Sequence, residues 1–198
     1  MNAIKLNHVT KCFGETRALA DFTLAIPLGR PTILMGPSGG GKTTILRILL
    51  GLETPDCGEA LGLEDLRTAA VFQEDRLCEN LSALANACLP HGHLRGPERT
   101  QLHERVEALF DAVGLTDCAS RPVRDLSGGM KRRVAIARAV LADFDLIVFD
   151  EPLKGLDPAT KDATMAAILP LLEGKTTVWV THDADDLAYF TDAHVVRM

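Results

Sequence analysis

The sequence has no hydrophobic run long enough to cross a membrane. A membrane-spanning helix needs about 18 consecutive apolar residues, and no stretch of these 198 residues approaches that length. The first residues, MNAIKLNHVTK, also lack the apolar core of a signal peptide. We therefore expect a cytosolic chain, which can still attach to a membrane protein.

Paired cysteines and an excess of basic residues are also missing. The five cysteines are scattered without a Cys-x-x-Cys pair, which is typical of free thiols in a reducing compartment and argues against disulfides or a zinc site. The formal net charge is −6, because 27 acidic residues outnumber 21 lysines and arginines. Nucleic-acid-binding domains are usually basic, so we expect no nucleic-acid partner.

Glycine, by contrast, is concentrated in GPSGGGKTT at 36–44. This stretch fits the pattern GxxxxGK[ST], with Gly36, Gly41, Lys42 and Thr43 at the fixed positions. In such a loop, backbone N–H groups point at phosphate oxygens, the lysine adds a charge near the β- and γ-phosphates, and the hydroxyl can hold Mg²⁺. An apolar strand precedes the loop and a helical pattern follows it, so we predict a phosphate-binding loop rather than a flexible turn.

A second feature is the acidic pair that ends the apolar run LIVFDE. Asp150 and Glu151 would be costly at the end of a buried strand unless a cation and a water met them. Beside a phosphate-binding loop, Asp150 is expected to hold the Mg²⁺ shell and Glu151 to act as the general base on the attacking water.

A third feature is DLSGGMKRR at 125–133, which resembles a helix start capped by Ser127. Lys131, Arg132 and Arg133 fall in its first turns, where the positive end of the helix dipole disfavours cations. Such an electropositive start is compatible with binding an anion, although solvated basic side chains are an alternative.

The periodicity of the remaining chain predicts a parallel α/β core, an antiparallel N-terminal layer and a helical insert around 78–126. Leu102, Val106, Leu109, Phe110 and Val113 form one helical stripe in that insert. Apolar or alternating runs predict strands at 6–13, 20–26, 31–36, 68–73, 145–150, 176–182 and 194–198. A helix is predicted from Lys42, with Gly51 as the residue that stops it.

Together with the ordered motifs VFQED, LSGGMKRR, GLDP and VTHD, these features resemble the ATP-binding-cassette (ABC) ATPases, the nucleotide-binding subunits of ABC transporters. The motifs fall in the family's order and cover nearly the whole chain. The resemblance implies a single α/β domain over 1–198: a P-loop NTPase (RecA-like) core with an antiparallel β subdomain and an inserted α-helical subdomain. The β layer would cover about 1–30 and 57–70, the helical insert about 78–126 and the core the remainder.

The same resemblance implies ATP and Mg²⁺ as cofactors and assigns roles by position. The implied catalytic residues are Lys42, Glu151 and His182, and the implied metal ligands are Thr43, Gln73 and Asp150. The implied nucleotide-binding residues are Phe13, which would stack on adenine, Gly36, Pro37, Ser38, Gly39, Gly40, Gly41, Lys42, Thr43, Thr44 and Gln73. Ser127, Gly128 and Gly129 would contact the ATP of a second copy in a head-to-tail homodimer, and Asp157 would lie in the D-loop.

VFQEDRL and LKGLD are most similar to the ATPases of nitrate, sulfonate and taurine importers. This similarity implies a homodimer bound to permease subunits on the inner face of the cell membrane, with an external solute-binding protein delivering solute. The alternative is a soluble ABC ATPase of DNA repair, chromosome maintenance or translation. Such proteins usually carry a long coiled-coil or zinc-bearing insertion or a second cassette, and this sequence has neither.

Overall fold

The computed structural model describes residues 3–198, which divide into two compact units. The first unit contains the chain up to Thr68 together with Phe144–Glu151 and Gly174–Met198. The second contains Ala69–Asp143 and Pro152–Glu173.

The first unit begins with an antiparallel sheet in the order β2-β1-β4. The strands are β1 (Ala3–Phe13), β2 (Thr16–Pro27) and β4 (Cys57–Leu61). Alternation buries one face, with Ile4, Leu6, Leu24 and Ile26 almost inaccessible to solvent. The strands predicted at 6–13 and 20–26 are confirmed, and each is longer than predicted.

Four parallel strands of the first unit neighbour one another in the order β6-β7-β3-β8. They are β3 (Pro31–Met35), β6 (Leu146–Asp150), β7 (Thr176–Thr181) and β8 (His194–Arg197). Helix α1 (Lys42–Leu49) follows β3 and packs near β6. The near-continuous apolar runs of β3, β6 and β7 are buried, as expected for strands covered on both faces.

The second unit is mainly helical. Its helices are α2 (Ala83–Cys88), α3 (Gly96–Ala112), α4 (Gly128–Leu141) and α5 (Pro158–Leu172), and strand β5 (Thr68–Val71) leads into it. Helices α2, α3 and α4 pack against one another, and α5 contacts α3 and α4. The predicted stripe is buried: its members Leu102, Val106, Leu109, Phe110 and Val113 are all at most 6% exposed. Within residues 3–198, none of the helices has the length and apolarity that a membrane crossing requires.

Candidate functional site

Three of the predicted segments meet at one edge of the first unit. The phosphate-binding loop follows β3, the acidic pair ends β6, and His182 follows β7. These strands are adjacent and parallel, with Met35 opposite Thr181 and Asp150 opposite Val180. Their carboxyl ends therefore lie together, which is where open α/β sheets bind ligands.

The phosphate-binding loop requires glycine at its last position. Gly41 has a φ of 84° and precedes α1. A Cβ there would lie 2.5 Å from the carbonyl oxygen of Ala18 and 2.6 Å from Leu19 Cδ2. Glycine thus provides both the left-handed backbone and the close approach of the loop to β2. Gly41, the N-cap residue of α1, has no side chain to cap the first N–H groups, and the first turn of the helix carries no acidic residue.

The Lys42 ammonium is anchored on the loop itself. Its Nζ donates to the carbonyl oxygens of Gly36 and Pro37, each at 2.7 Å, and the residue is only 7% exposed. The lysine therefore lies over the loop carbonyls as a localised positive charge. Pro37, Ser38 and Gly39 are exposed at the loop, whereas Thr44 is buried within α1.

The second half of this site begins with a hydroxyl–carboxylate pair. Thr43 Oγ1 donates to Asp150 Oδ2 at 3.0 Å, and Asp150 is 5% exposed. Both groups offer the hard oxygen atoms that Mg²⁺ prefers. In the described part of the chain, no group of three His, Cys, Asp or Glu residues is placed to hold a metal ion. Mg²⁺ is usually bound through one or two carboxylates together with waters and substrate phosphates, and this pair could supply the protein's share of such ligands.

Glu151 and His182 form a pair that the sequence did not predict. His182 Nδ1 lies 2.9 Å from Glu151 Oε1, so the ring nitrogen donates to the carboxylate. Glu151 adopts a φ of 48°, a left-handed conformation that costs about 1–3 kcal/mol in a residue with a side chain. Its N–H donates to Val180 O, which fixes the backbone at the end of β6 against β7. The sequence placed both residues at strand ends, but only the strand order makes them neighbours.

Phe13, also in the first unit, ends β1 and is 45% exposed. The Lys11 ammonium lies 5.4 Å from the centre of its ring. An exposed ring beside a cation is available to stack on a planar ligand.

The second unit holds the other predicted residues. Gln73 is exposed in the segment after β5. Ser127 caps α4 by accepting from the Met130 N–H at 3.3 Å, and Gly128 and Gly129 form the first helical positions. Asp157 caps α5 by accepting from the N–H of Thr160 at 3.0 Å. The hydroxyl and then the N–H of Thr160 hold the pKa of Asp157 below its usual value.

The basic residues at the start of α4 bind acceptors within the protein. The Arg132 guanidinium is buried and donates to the carbonyls of Phe72 and Pro152. Arg133 donates to Val113 O at 2.6 Å. Lys131 Nζ lies 3.4 Å from Glu79 Oε1. The idea that this trio either binds an anion or is simply solvated is therefore wrong for Arg132 and Arg133, whose charges satisfy buried carbonyl groups.

Comparison with known proteins supports the family resemblance of the sequence motifs. Residues 19–154 match the family model described as ABC transporter. The Nod factor export ATP-binding protein I of Cupriavidus pinatubonensis is 37% identical over 190 residues, covering 90% of this chain and 58% of that protein. The sulfate/thiosulfate import ATP-binding protein CysA of Yersinia pseudotuberculosis is 35% identical over 208 residues, covering 98% of this chain and 57% of that protein. The chain thus spans less than two thirds of the length of these curated relatives.

Among solved structures, MJ0796, described as a bacterial ABC transporter cassette in dimeric form, aligns with a TM-score of 0.84 and 32% identity. The alignment covers 98% of this chain and 94% of that one. A second structure of MJ0796 is a dimer in a post-hydrolysis state with ADP and Pi, and aligns with a TM-score of 0.81. The predicted fold, a P-loop core with an antiparallel β subdomain and an inserted helical subdomain, is confirmed by this likeness.

Proposed function

Because this chain belongs to the ABC transporter family, we propose that it is the ATP-binding and ATP-hydrolysing subunit that energises a separate membrane permease in an importer. The observation that carries the proposal is the sheet edge where the loop of Lys42, the Thr43–Asp150 pair and the Glu151–His182 pair lie together. A phosphate loop with its lysine, a metal-binding hydroxyl–carboxylate pair and a carboxylate for the attacking water are the parts that nucleotide hydrolysis requires.

Each residue at this edge has a defined task in hydrolysis. The N–H groups of the loop and the start of α1 bind the phosphates, and Lys42 neutralises charge on the β- and γ-phosphates. Thr43 and Asp150 would hold Mg²⁺, which would neutralise charge on the phosphate oxygens. Glu151 takes the proton of the attacking water. His182 donates to Glu151 and thereby holds the carboxylate in place.

The second unit supplies the partner half of the site on another copy. We place Ser127, Gly128 and Gly129 of one copy against the ATP that the other copy binds, in a head-to-tail homodimer. The dimeric state of MJ0796 supports a homodimer. A ligand that binds only the closed dimer stabilises it by mass action, so ATP closes the dimer and hydrolysis releases it.

Glu151→Gln separates binding from chemistry. The amide keeps the size of the side chain but cannot take a proton, so turnover should fall on the order of 10²-fold or more while ATP binding persists. Lys42→Ala should instead weaken nucleotide binding, because it removes the anchored charge. Steady-state phosphate release and calorimetry with ADP measure the two effects, and Glu173→Gln, at an exposed helix end, is the control. Normal turnover in the Glu151 variant would refute its role as the base.

The permease is proposed to dock in a cavity of about 640 Å³ in the second unit. Apolar and cationic side chains share its wall; they include Leu84, Leu89, Leu94, Leu102, Arg95 and Arg99. Such a wall suits a cytoplasmic helix of the permease that presents apolar residues next to acidic ones. A permease docked there places the chain on the inner face of the membrane and, in an importer, downstream of an external solute-binding protein.

Co-purification in mild detergent tests this partner. A polytopic membrane protein in stoichiometric amount is expected with the native chain. The double variant Arg95→Glu and Arg99→Glu should lower its yield severalfold, whereas Arg105→Glu, exposed on α3 away from the cavity, should not. Ribosomal or nucleic-acid partners without a membrane protein would indicate a soluble ABC ATPase instead.

A further inference from the structure

The side chain of Lys11 joins β1 to the segment that follows α1. Its Nζ donates to Thr54 O at 2.9 Å and lies 3.3 Å from both Glu53 Oε2 and Asp56 Oδ1. The Lys11 side chain is 12% exposed and that of Glu53 is 20% exposed. We name Lys11, Glu53 and Asp56 the Lys11 cluster. The charges of Lys11 and Glu53 are partly shielded, which strengthens their attraction relative to a fully exposed pair, whereas the Asp56 side chain is 44% exposed.

The Lys11 cluster also holds the backbone next to Phe13. The second oxygen of Asp56 accepts from the Cys12 N–H at 2.7 Å, and the Asp56 N–H donates to Thr10 O at 2.9 Å. The Cys12 N–H, with a further contribution from Lys11, lowers the pKa of Asp56 against the opposing effect of burial. Burial alone would lower the pKa of Lys11, but its hydrogen bonds to Asp56 and Glu53 raise it. Lysine and aspartate are therefore both charged at neutral pH.

The same cluster reaches the helix that begins at the phosphate-binding loop. Arg47, on α1, donates to Glu53 Oε1 at 3.0 Å, and the Glu53 N–H donates to Arg47 O at 3.2 Å. Contacts thus run from α1 through Glu53 and Lys11 to the strand end that carries Phe13. This chain of contacts joins the strand end that carries the aromatic ring to the last turn of α1.

An exposed aromatic ring at a strand end has freedom that it must lose when it stacks on a ligand. Fixing its backbone and placing a cation 5.4 Å from its ring centre reduces that loss before the ligand arrives. We propose that Lys11, Glu53 and Asp56 are positioning residues that hold Phe13 for stacking on the nucleotide base and so set the base-dependent part of nucleotide affinity. This inference rests on the proposed function, since it requires nucleotide binding at the phosphate loop.

The test compares two ligands that share the phosphate contacts and differ in the base. Calorimetry with ADP and with inorganic pyrophosphate, on the full chain, gives the ratio of the two affinities. Stacking of a base on an aromatic side chain is worth on the order of tenfold in affinity or more, so Phe13→Ala should lower the ratio by that factor. Lys11→Met and Asp56→Asn should each lower it severalfold, and Lys11→Arg should restore most of it. Lys5→Met, an exposed lysine of the same strand, should leave it unchanged.

The double variant Lys11→Met with Phe13→Ala distinguishes positioning from general stability. If Lys11 acts through the ring, the double variant should match Phe13→Ala alone in the affinity ratio. Equal loss of ADP and pyrophosphate binding in Lys11→Met would reduce the cluster to a structural role and overturn the inference. An unchanged ratio in Phe13→Ala would overturn it by removing the stacking itself. If neither ligand bound the native chain, the proposed function would fail first.

Discussion

Replacing Arg132 by methionine should destabilise the second unit more than any other change at the start of α4. The guanidinium donates to Pro152 O at 2.8 Å and to Asp75 Oδ1 at 3.0 Å, and it also reaches the carbonyl oxygens of Phe72 and Gln73. The Arg132 side chain is 6% exposed and that of Asp75 is 24% exposed. The Arg132 guanidinium thus satisfies carbonyl oxygens in two separate segments of the second unit, at Phe72 and Gln73 and at Pro152.

The magnitude follows from what methionine leaves behind. It fills much of the volume but donates no hydrogen bond, so Asp75 loses its buried partner and the carbonyl oxygens lose their donor. Removing one partner of a buried ion pair typically costs about 3–5 kcal/mol. For a domain of this size, each 1 kcal/mol lowers the melting temperature by about 2–4 °C. We expect the free energy of unfolding to fall by about 3–5 kcal/mol, and the melting temperature by roughly 6–20 °C.

Urea denaturation followed by circular dichroism measures this loss. Lys131→Met is the matched control, because its ammonium makes a 3.4 Å contact with Glu79, whose side chain is 68% exposed. Such a pair is worth about 0–1 kcal/mol. Arg132→Lys should fall between the two, since a lysine keeps the charge but cannot reach the acceptors in the same fork geometry. If Arg132→Met lowered the free energy of unfolding no more than the Lys131→Met control does, the stabilising role of the buried Arg132 contacts would be refuted.

Two further changes test the first unit. Gly41→Ala should destabilise the fold by more than the about 1–3 kcal/mol that a strained positive φ costs and should weaken ADP binding, because its Cβ would lie 2.5 Å from the backbone oxygen of Ala18. Gly39→Ala has the same φ and nothing within 4 Å of its Cβ, so it should have the smaller effect in denaturation and calorimetry. Asp145→Asn should remove the part of the free energy of unfolding that is present at neutral pH and lost in acid. Hydrogen bonds from the side chain and backbone of Arg67 hold the pKa of Asp145 far below its usual value. The stabilisation is therefore present above about pH 4 and disappears as the pH falls further. The difference in melting temperature between the native and Asn chains should narrow as the pH falls from about 4 to 2, and a constant difference would contradict the ion pair.

The sequence alone was enough for the fold class and for the position of each motif. Its evidence was local: apolar runs of β3, β6 and β7, the glycine pattern before Lys42, and the helical stripe that includes Leu102 and Phe110. Such patterns are reliable because each depends only on neighbouring residues and on the periods of strand and helix. The family resemblance, which the comparisons confirm, was likewise carried by short stretches in a fixed order.

The sequence could not predict the hydrogen-bond partners of the basic residues after Ser127. Charge at a helix start predicts either a ligand or solvent, because no local pattern indicates a carbonyl more than 50 residues away. Arg132 finds such a partner at Phe72 and a second one at Pro152, 20 positions away. Lys11 likewise finds Glu53 and Asp56, which lie far along the chain from it. Long polar side chains bind whichever acceptors lie near them in the folded protein, and no local sequence pattern shows which acceptors those are.

Residue types, their spacing and their placement at strand ends were thus determined by the sequence itself. Tertiary structure decided which of these ends are neighbours. Glu151 and His182 are separated by 31 positions and meet at 2.9 Å only because β6 and β7 pair in parallel with Asp150 opposite Val180. Slipping one of the two strands by a single residue would turn its side chains to the other face of the sheet, so strand pairing, and not local propensity, brings this carboxylate and imidazole together.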